Sequence, residues 1–418
     1  MEKPSACFEI TSGAIKLLIG YELDGQPVVL YTKSLPNPYM NDNGTIADVE
    51  GLISTLSQLR EIEDANDKMR FSLKEAKLLL PSAGLYVFLN QKTTLVVSQS
   101  GKIEKIDVMN VLSQMNKEEP PSGYGIVDII PEAFLMDGDR VSENPPLGET
   151  SNSLSIKGWV HCLPNSYLHS YRSAMERAGF RIKSMGVSAY CQAELYKGNQ
   201  LLPPTYILVD IGDRLTTVSL VGNHSPYRGI NFSRGGRQLS EKIASDLQLE
   251  FEAAEKLKLE CGYDERRLSY NPPIGQSSQG KPIFQQDLNQ AIADYFSDYF
   301  PHLESAISEL GKNLNGDLEN LPILLSGGSS LLNGIEKIWG DHFPQHPIKA
   351  VCPNSIGARD PGYSGLLGLL LTSSSVYKGS LDETMRGVSA LSRDEEEKQA
   401  KKKKPLFGKK KDEDEDVL

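Results

Sequence analysis

The stretch Tyr206–Asn223, YILVDIGDRLTTVSLVGN, decides the fold. It reads as a strand ending in Asp210-Ile211-Gly212, a tight turn, and a second strand that opens at Thr216-Thr217. Apolar and β-branched residues fill both arms, and the polar residues collect between them. Such a turn can present backbone N–H groups and hydroxyls to a phosphate, provided its residues are small enough for close approach. Here Asp213 and Arg214 follow Gly212, so the frame is present while the approach is narrowed.

The same frame occurs near the N-terminus. Phe8 to Leu35 repeats the order strand, acid, isoleucine, turn, strand, hairpin, strand that runs from Tyr206 to Ser233. Glu9 stands in the first copy where Asp210 stands in the second. The first turn supplies Ser12, Gly13 and, on the following strand, Lys16; the second supplies Gly212, Thr216 and Thr217. Asp24-Gly25 predicts the hairpin of the first copy. Two related α/β domains facing each other would bring both turns to one cleft. An acid at the end of each first strand, Glu9 and Asp210, can hold Mg²⁺ through water.

Two further segments fit such a cleft. LLSGGSSLLNG is a buried strand that ends in Gly327-Gly328 and opens a helix, which lets a flat base or ribose lie against the backbone. Glu255 and Lys258, three apart on one helix, can reach a ribose and a base edge. Each feature also has an ordinary reading: a polar hairpin turn, a strand-to-helix turn, a solvated helical ion pair. Their order along the chain is what points to a nucleotide.

The rest of the pattern alternates strand and helix, which makes an α/β protein. IADVEGLISTLSQLREIED predicts a helix with Leu52, Leu56 and Leu59 on one face and Asp48 as its N-cap. Gly84 to Asn165 reads as a separate small unit of three strands and one helix. SYRSAMERAGF predicts a helix stopped by Gly179. Helices follow at Leu239–Leu247, at EFEAAEKLKLECG and at Gln286–Leu310, with RRLSYNPPIGQSSQGKPI as a polar loop or hairpin between the last two. Beyond about Ser373 the hydrophobic pattern ceases, and a disordered charged tail is expected.

Composition narrows the function. The net charge is −11, and Arg393 to Leu418 carries nine basic and nine acidic residues, so the body holds 35 basic against 46 acidic. An acidic body argues against a nucleic-acid partner. The five cysteines are scattered without a Cys-x-x-Cys, as in buried thiols of a reducing compartment. The histidines form no cluster with metal-ligand spacing. No basic-then-apolar leader opens the chain, and GLLGLLL at Gly365–Leu371 is too short to span a bilayer, so a cytoplasmic protein is expected.

The order of these elements is the actin-like ATPase signature, and several stretches resemble the bacterial cell-division family FtsA. They are DIIPEAFLMDG, PLGETSNSLSIKGWVH, AMERAGF, GGRQLSEKIASDLQLEFEAAEKLKLECG, SGGSSLLNGI and DPGYSGLLGLLL, and the likeness covers roughly residues 5 to 373. PLGETSNSLSIKGWVH discriminates most, because filament-forming actins and sugar kinases have nothing like it. The resemblance implies an actin-like fold of two duplicated ribonuclease-H-like domains, the first from 1–83 and 166–208. An FtsA-type α/β subdomain is inserted at 84–165. The second domain has its core at 209–235 and 315–373 and an outer subdomain at 236–314, and a charged tail follows at 374–418. It also implies ATP and Mg²⁺ as ligands. Glu9, Ser12, Gly13 and Lys16 would serve the first phosphate motif, and Asp210, Gly212, Arg214 and Thr216 the second. Gly327, Gly328, Glu255 and Lys258 would meet the nucleoside. Asp210 is the candidate catalytic acid, and Gln192, on the preceding helix, a candidate for positioning water. Implied partners are FtsZ and further copies of the chain in filaments.

The chain departs from that family where the opening stretch narrows. Relatives carry Asp-Ile-Gly-Gly-Gly-Thr-Thr, and this chain has Asp210-Ile211-Gly212-Asp213-Arg214-Leu215-Thr216-Thr217. Asp213 would repel phosphate oxygens while Arg214 could pair with them, and Thr11 stands where glycine is usual. Weak ATPase activity at most is expected. A scaffold of the pilus machinery related to PilM is the alternative. A small-molecule kinase of the same superfold is a weaker one, since no further acid is available as its base. The end of the chain, KQAKKKKPLFGKKKDEDEDVL, has Pro405 and Gly408 beside its apolar spot, Leu406-Phe407, which disfavours an amphipathic helix there. Its lysines instead suggest peripheral contact with an anionic membrane at the division site.

Overall fold

The computed structural model describes residues 4–64, 69–198, 202–266, 272–312 and 318–372. The chain begins with an antiparallel meander of β1 (Ser5–Ile10), β2 (Ala14–Leu23) and β3 (Gln26–Pro36). Then come α1 (Val49–Gln58), the hairpin β4 (Glu61–Asp64) and β5 (Met69–Ser72), and β6 (Glu75–Leu80). An intervening unit follows: β7 (Tyr86–Leu95), α2 (Lys105–Asn116), β8 (Tyr124–Met136), β9 (Arg140–Ser142) and β10 (Ser153–Pro164). α3 (Asn165–Arg177), β11 (Arg181–Val187) and α4 (Ser188–Tyr196) lead to a second meander, β12 (Thr205–Ile211), β13 (Thr216–Gly222) and β14 (Ser225–Phe232). After it come α5 (Gly236–Leu247), α6 (Phe251–Glu260), the hairpin β15 (Pro273–Gln276) and β16 (Pro282–Phe284), and α7 (Gln285–Gly311). The last elements are β17 (Ile323–Ser326), α8 (Ile335–His342), β18 (Ile348–Ala350) and α9 (Ser364–Thr372).

Local chemistry accounts for these limits. Asp24 and Gly25 both have positive φ, 51° and 76°, which a two-residue turn matching the strand twist requires. Asp48 caps α1 by accepting from the Gly51 N–H at 3.0 Å. The helix expected over Ile46–Asp64 stops at Gln58, and Glu61–Asp64 instead pairs with β5. The helix expected directly after Gly327-Gly328 is also corrected. A single 3₁₀ turn, Gly328–Leu331, comes first, and α8 begins only at Ile335.

Two sheets share one strand pattern. In the first, of order β11-β6-β1-β2-β3, the meander is extended by two parallel strands. In the second, β12-β13-β14 is extended by the parallel β17 and β18. This second sheet continues through β14 into the intervening unit, but the join is one residue pair, Arg228 with Tyr86.

Side-chain alternation along the strands then sets the layers. Phe8, Ile10, Leu17, Ile19, Leu78 and Leu80 pack with α1 and α3, while Cys7, Leu18 and Leu79 point to the other face and meet α9. Tyr206 and Leu208 meet α4, and Ile207, Val209 and Ile211 face a core built on α5, α7 and α8. The pair α4 and α9 thus lies between the two sheets. α9 falls within 315–373, expected with the second domain, and it packs on the first sheet. Among the described residues no helix is long and apolar enough to cross a membrane.

The α4–α9 contact is backbone to backbone at Gly368. A Cβ added there would lie 1.7 Å from the Cys191 carbonyl oxygen, so no side chain fits without moving a helix. Gly368→Ala is expected to destabilise the protein by at least about 2 kcal/mol in urea unfolding. Gly340→Ala, where an added Cβ meets nothing within 4 Å, is the control and should be neutral or slightly stabilising.

Candidate functional site

The two meanders turn towards each other around a cavity of about 360 Å³. Glu9, Ser12, Gly13 and Lys16 line it from the first sheet, and Asp210, Gly212, Asp213 and Thr217 from the second. Gly327, Gly328 and Ser329 enter from the turn after β17, Glu255 and Lys258 from α6, and Ser188 and Gln192 from α4. Ten of the residues expected at a nucleotide site therefore share this wall: Glu9, Ser12, Gly13, Lys16, Asp210, Gly212, Glu255, Lys258, Gly327 and Gly328.

Charge is concentrated at the junction of the sheets. The Lys16 ammonium lies 3.2 Å from Glu9 and donates to the Gly362 carbonyl. Burial works against that ammonium, but Glu9, Asp210 and Asp360 outweigh it and hold it above the ordinary lysine range. Burial also pushes the Glu9 and Asp210 carboxyls above the usual carboxylate range, with Lys16 opposing in both cases. Gln192 Nε2 donates to Asp210 at 2.9 Å and to Ser188 Oγ at 3.0 Å, fixing the carboxylate from α4.

The turn after β12 is held rigidly from the second half. The Gly212 carbonyl accepts from the Gly236 N–H at 3.0 Å and from Ser329 Oγ at 3.0 Å, and the Asp213 carbonyl accepts from the Arg237 N–H at 2.8 Å. A Cβ at Gly236 would lie 2.2 Å from Ser329 Oγ, so a side chain there would displace the hydroxyl that holds the Gly212 carbonyl. Gly327 has φ 82°, and its missing side chain leaves room for Asp210 and Ile211. An added Cβ on Gly328 would meet nothing, so this backbone stands open. Lys258 donates to Glu255 at 2.7 Å and to the Gly236 carbonyl at 3.0 Å, so the pair is seated against the start of α5.

Two expected residues are placed elsewhere. Thr216 points into the core: its hydroxyl donates to the Arg234 carbonyl at 2.8 Å and accepts from Tyr299 at 3.0 Å. Its neighbour Thr217, paired with Asp210 across the strands, is the one at the cavity, since adjacent strand residues face opposite ways. Arg214 does not line the cavity. Its guanidinium reaches out to Asp42 at 3.0 Å, because a carboxylate from the first half is available to it there. Ser188 and Gly362, unassigned from sequence, do line it. DPGYSG marks Gly362: Asp360 accepts its N–H at 2.7 Å and so presents the adjoining carbonyl to Lys16.

No family model matches the chain. Among curated proteins it is similar to the cell division protein FtsA of Streptococcus pneumoniae, 24% identical over 386 residues that cover 90% of this chain and 80% of that protein. Among solved structures it is similar to the PilM-PilN type IV pilus biogenesis complex. That match has a TM-score of 0.53 at 16% identity and covers 88% of this chain and 98% of that one. It is also similar to MreB 5 of Spiroplasma citri bound to AMPPNP, with TM-score 0.52, 13% identity, and 93% and 99% covered. What is shared at these identities is the fold, a mixed α/β architecture with two large sheets, as in the actin-like ATPases.

The enclosed Lys16–Glu9 pair, with side chains 17% and 15% exposed, yields a stability test. Lys16→Met leaves the Glu9 carboxylate uncompensated and is expected to cost about 3 kcal/mol in urea unfolding. Adding Glu9→Gln removes the stranded charge and should recover more than half of that loss.

Proposed function

We propose that the protein is an actin-like scaffold that binds ATP with Mg²⁺ in the cleft, turns it over slowly at most, self-associates, and recruits FtsZ to the cytoplasmic face of the membrane. The carrying observation is convergence. Acids and a lysine from two distant meanders, an ion pair on α6 and an open glycine backbone after β17 line one cavity. The repeated strand pattern supports two ribonuclease-H-like domains with the cleft between them, 1–83 with 166–208 and 209–373, and an inserted FtsA-type subdomain at 84–165.

The residues present suit the ligand. Two mostly buried carboxylates, Glu9 and Asp210, face one lysine, an excess of negative charge that a divalent cation relieves. Held there through water, Mg²⁺ would neutralise charge on the phosphates. Glu255, Lys258 and the open backbone at Gly328 suit a nucleoside. Gln192 Oε1 is a buried acceptor without a hydrogen-bond partner among the described residues, and would hold a water beside Asp210. Lys16, already committed to Glu9 and Gly362, and the crowded turn at Asp213 favour slow turnover.

Calorimetric titration with ATP–Mg²⁺ should give heat, and the nucleotide should raise the melting temperature. Neither effect at millimolar adenine nucleotide, ADP included, would contradict the cleft reading. Turnover is expected below about 1 s⁻¹.

The FtsZ partner, self-association and the segment 236–314 as the FtsZ contact rest on likeness to FtsA proteins. The similarity to the PilM–PilN complex favours a second reading, a pilus or secretion scaffold. A pull-down separates the two: an FtsZ tail peptide should be retained, and retention of a pilus inner-membrane peptide instead would transfer the protein to the second reading.

The lysine-rich tail, Lys398 to Leu418, lies outside the described residues. Its eight lysines would contribute up to about 1 kcal/mol each near an anionic leaflet, opposed by the acidic run Asp412 to Asp416. The full chain should co-sediment with anionic vesicles at low salt and detach as salt rises. A truncation ending at Ser392 should stay in solution. Equal partitioning of the two would leave a partner to supply the membrane contact.

A further inference from the structure

Three residues at the facing turns, Thr11, Asp213 and Arg214, have no part in binding as described so far, yet Thr11 and Asp213 close or fill the turns and Arg214 holds Asp213 from outside the cavity. Thr11 Oγ1 accepts from the Ala14 N–H at 3.0 Å and donates to the Ala14 carbonyl at 3.0 Å, closing the first turn on itself. Ser12 Oγ accepts from the Arg214 N–H at 3.2 Å, across the cleft. Two N–H groups of the turns are thus already satisfied by hydroxyls of the chain.

Asp213 fills the remaining space. A Cβ added to Gly13 would lie 2.6 Å from Asp213 Cβ, 2.8 Å from its Cγ and 3.0 Å from its Oδ2. The side chain therefore rests on the bare backbone of the opposite turn, with its carboxyl beside Gly13. Arg214 steadies it: Nε is 3.6 Å from the Asp213 carboxylate, and Nη1 is 3.0 Å from Asp42 on the first half. Backing away is obstructed, because the Gly212 and Asp213 carbonyls are tied to α5 and Ser329. A Cβ on Gly235 would already meet both of those carbonyls at 2.6 Å.

We propose that Asp213 stands in for the terminal phosphate, so that the cleft takes a nucleoside diphosphate in preference to a triphosphate. This rests on the reading of the cleft as a nucleotide site. At the nucleoside end, where Glu255 and Lys258 also line the cavity, an added Cβ on Gly328 would meet nothing within 4 Å. A phosphate chain extended from there towards Gly13 meets a carboxylate in the last position. A triphosphate has to displace that side chain or lie against a like charge, and both reduce affinity. In this proposal a diphosphate ends short of it. Asp213 is in this account a specificity residue, and it acts by occupancy as well as by charge.

The test measures dissociation constants of the full chain for ADP, ATP and AMP, each with Mg²⁺, by calorimetry. It uses the wild type, Asp213→Gly and Asp213→Asn, with folding checked by circular dichroism. The wild type should bind ADP about tenfold or more tighter than ATP. Asp213→Gly should tighten ATP by about tenfold while ADP changes by less than about twofold. Asp213→Asn, which keeps the volume and loses the charge, should fall between. Wild-type protein that binds ATP as tightly as ADP, or a ratio unchanged in Asp213→Gly, overturns the proposal and leaves the nucleotide cleft intact. If Asp213→Gly fails to fold, the wild-type ratio and Asp213→Asn decide in the same way. Absence of binding by all three nucleotides to the wild type overturns the cleft reading, and this proposal with it.

Discussion

The Lys16 ammonium is held between the Glu9 carboxylate, 3.2 Å away, and the Gly362 carbonyl, and it feels Asp210 from the second sheet. This arrangement joins three distant parts of the chain. Glu9 and Lys16 are paired residues on β1 and β2, Gly362 opens the approach to α9, and Asp210 ends β12. Bringing these groups together out of water is unfavourable unless the charges are matched. One lysine faces two carboxyls whose burial raises both above the usual carboxylate range, and on the proposed function a bound cation would add to the compensation that Lys16 supplies. The layering of α4 and α9 between the sheets fixes where these charges meet. Gly368 lets α9 touch α4, α4 presents Gln192 to Asp210, and α9 begins beside the carbonyl that holds Lys16.

The two facing turns and the rest of the cavity follow different rules. Around Glu255, Lys258, Gly236 and Gly328 the packing leaves backbone open or seats an ion pair at its edge. Between Ser12, Gly13, Asp213 and Arg214 the protein satisfies its own donors and fills its own space. On the proposed function this packing would separate binding from chemistry. A scaffold governed by whether its cleft is filled requires the first without much of the second.

How much of this could be read from residues depends on how local each signal is. Both meanders were legible, because alternation, a two-residue turn and a terminal acid lie within thirty residues of one another. α9 carried no face to read: Leu366, Leu367, Leu369 and Leu370 are all buried, so its pattern is apolar all round and assigns it to neither sheet. Thr216 and Thr217 differ by one position, and a strand reverses its facing at each residue. The bonds of Thr216 to the Arg234 carbonyl and to Tyr299, the latter from a helix far along the chain, decide which one meets the cleft. Arg214 is the clearest failure of local reading. Its charge suited a phosphate, but its partner Asp42 is 172 residues away in sequence. In the sequence Gln192 is placed only by its position on the helix before Asp210, and its bond to that carboxylate, which crosses from α4 to β12, has no local sequence signal.

The central claim is that the cleft between the two sheets receives a nucleotide through three backbone segments at once. Amide hydrogen exchange on the full chain, with and without Mg²⁺ and adenine nucleotide, measures this most directly. Protection should appear together in Thr11–Lys16, Gly212–Thr217 and Gly327–Ser329, with β7 and β10 of the intervening unit unchanged. Unaltered exchange in all three segments at saturating nucleotide, or protection confined to the intervening unit, would contradict the account.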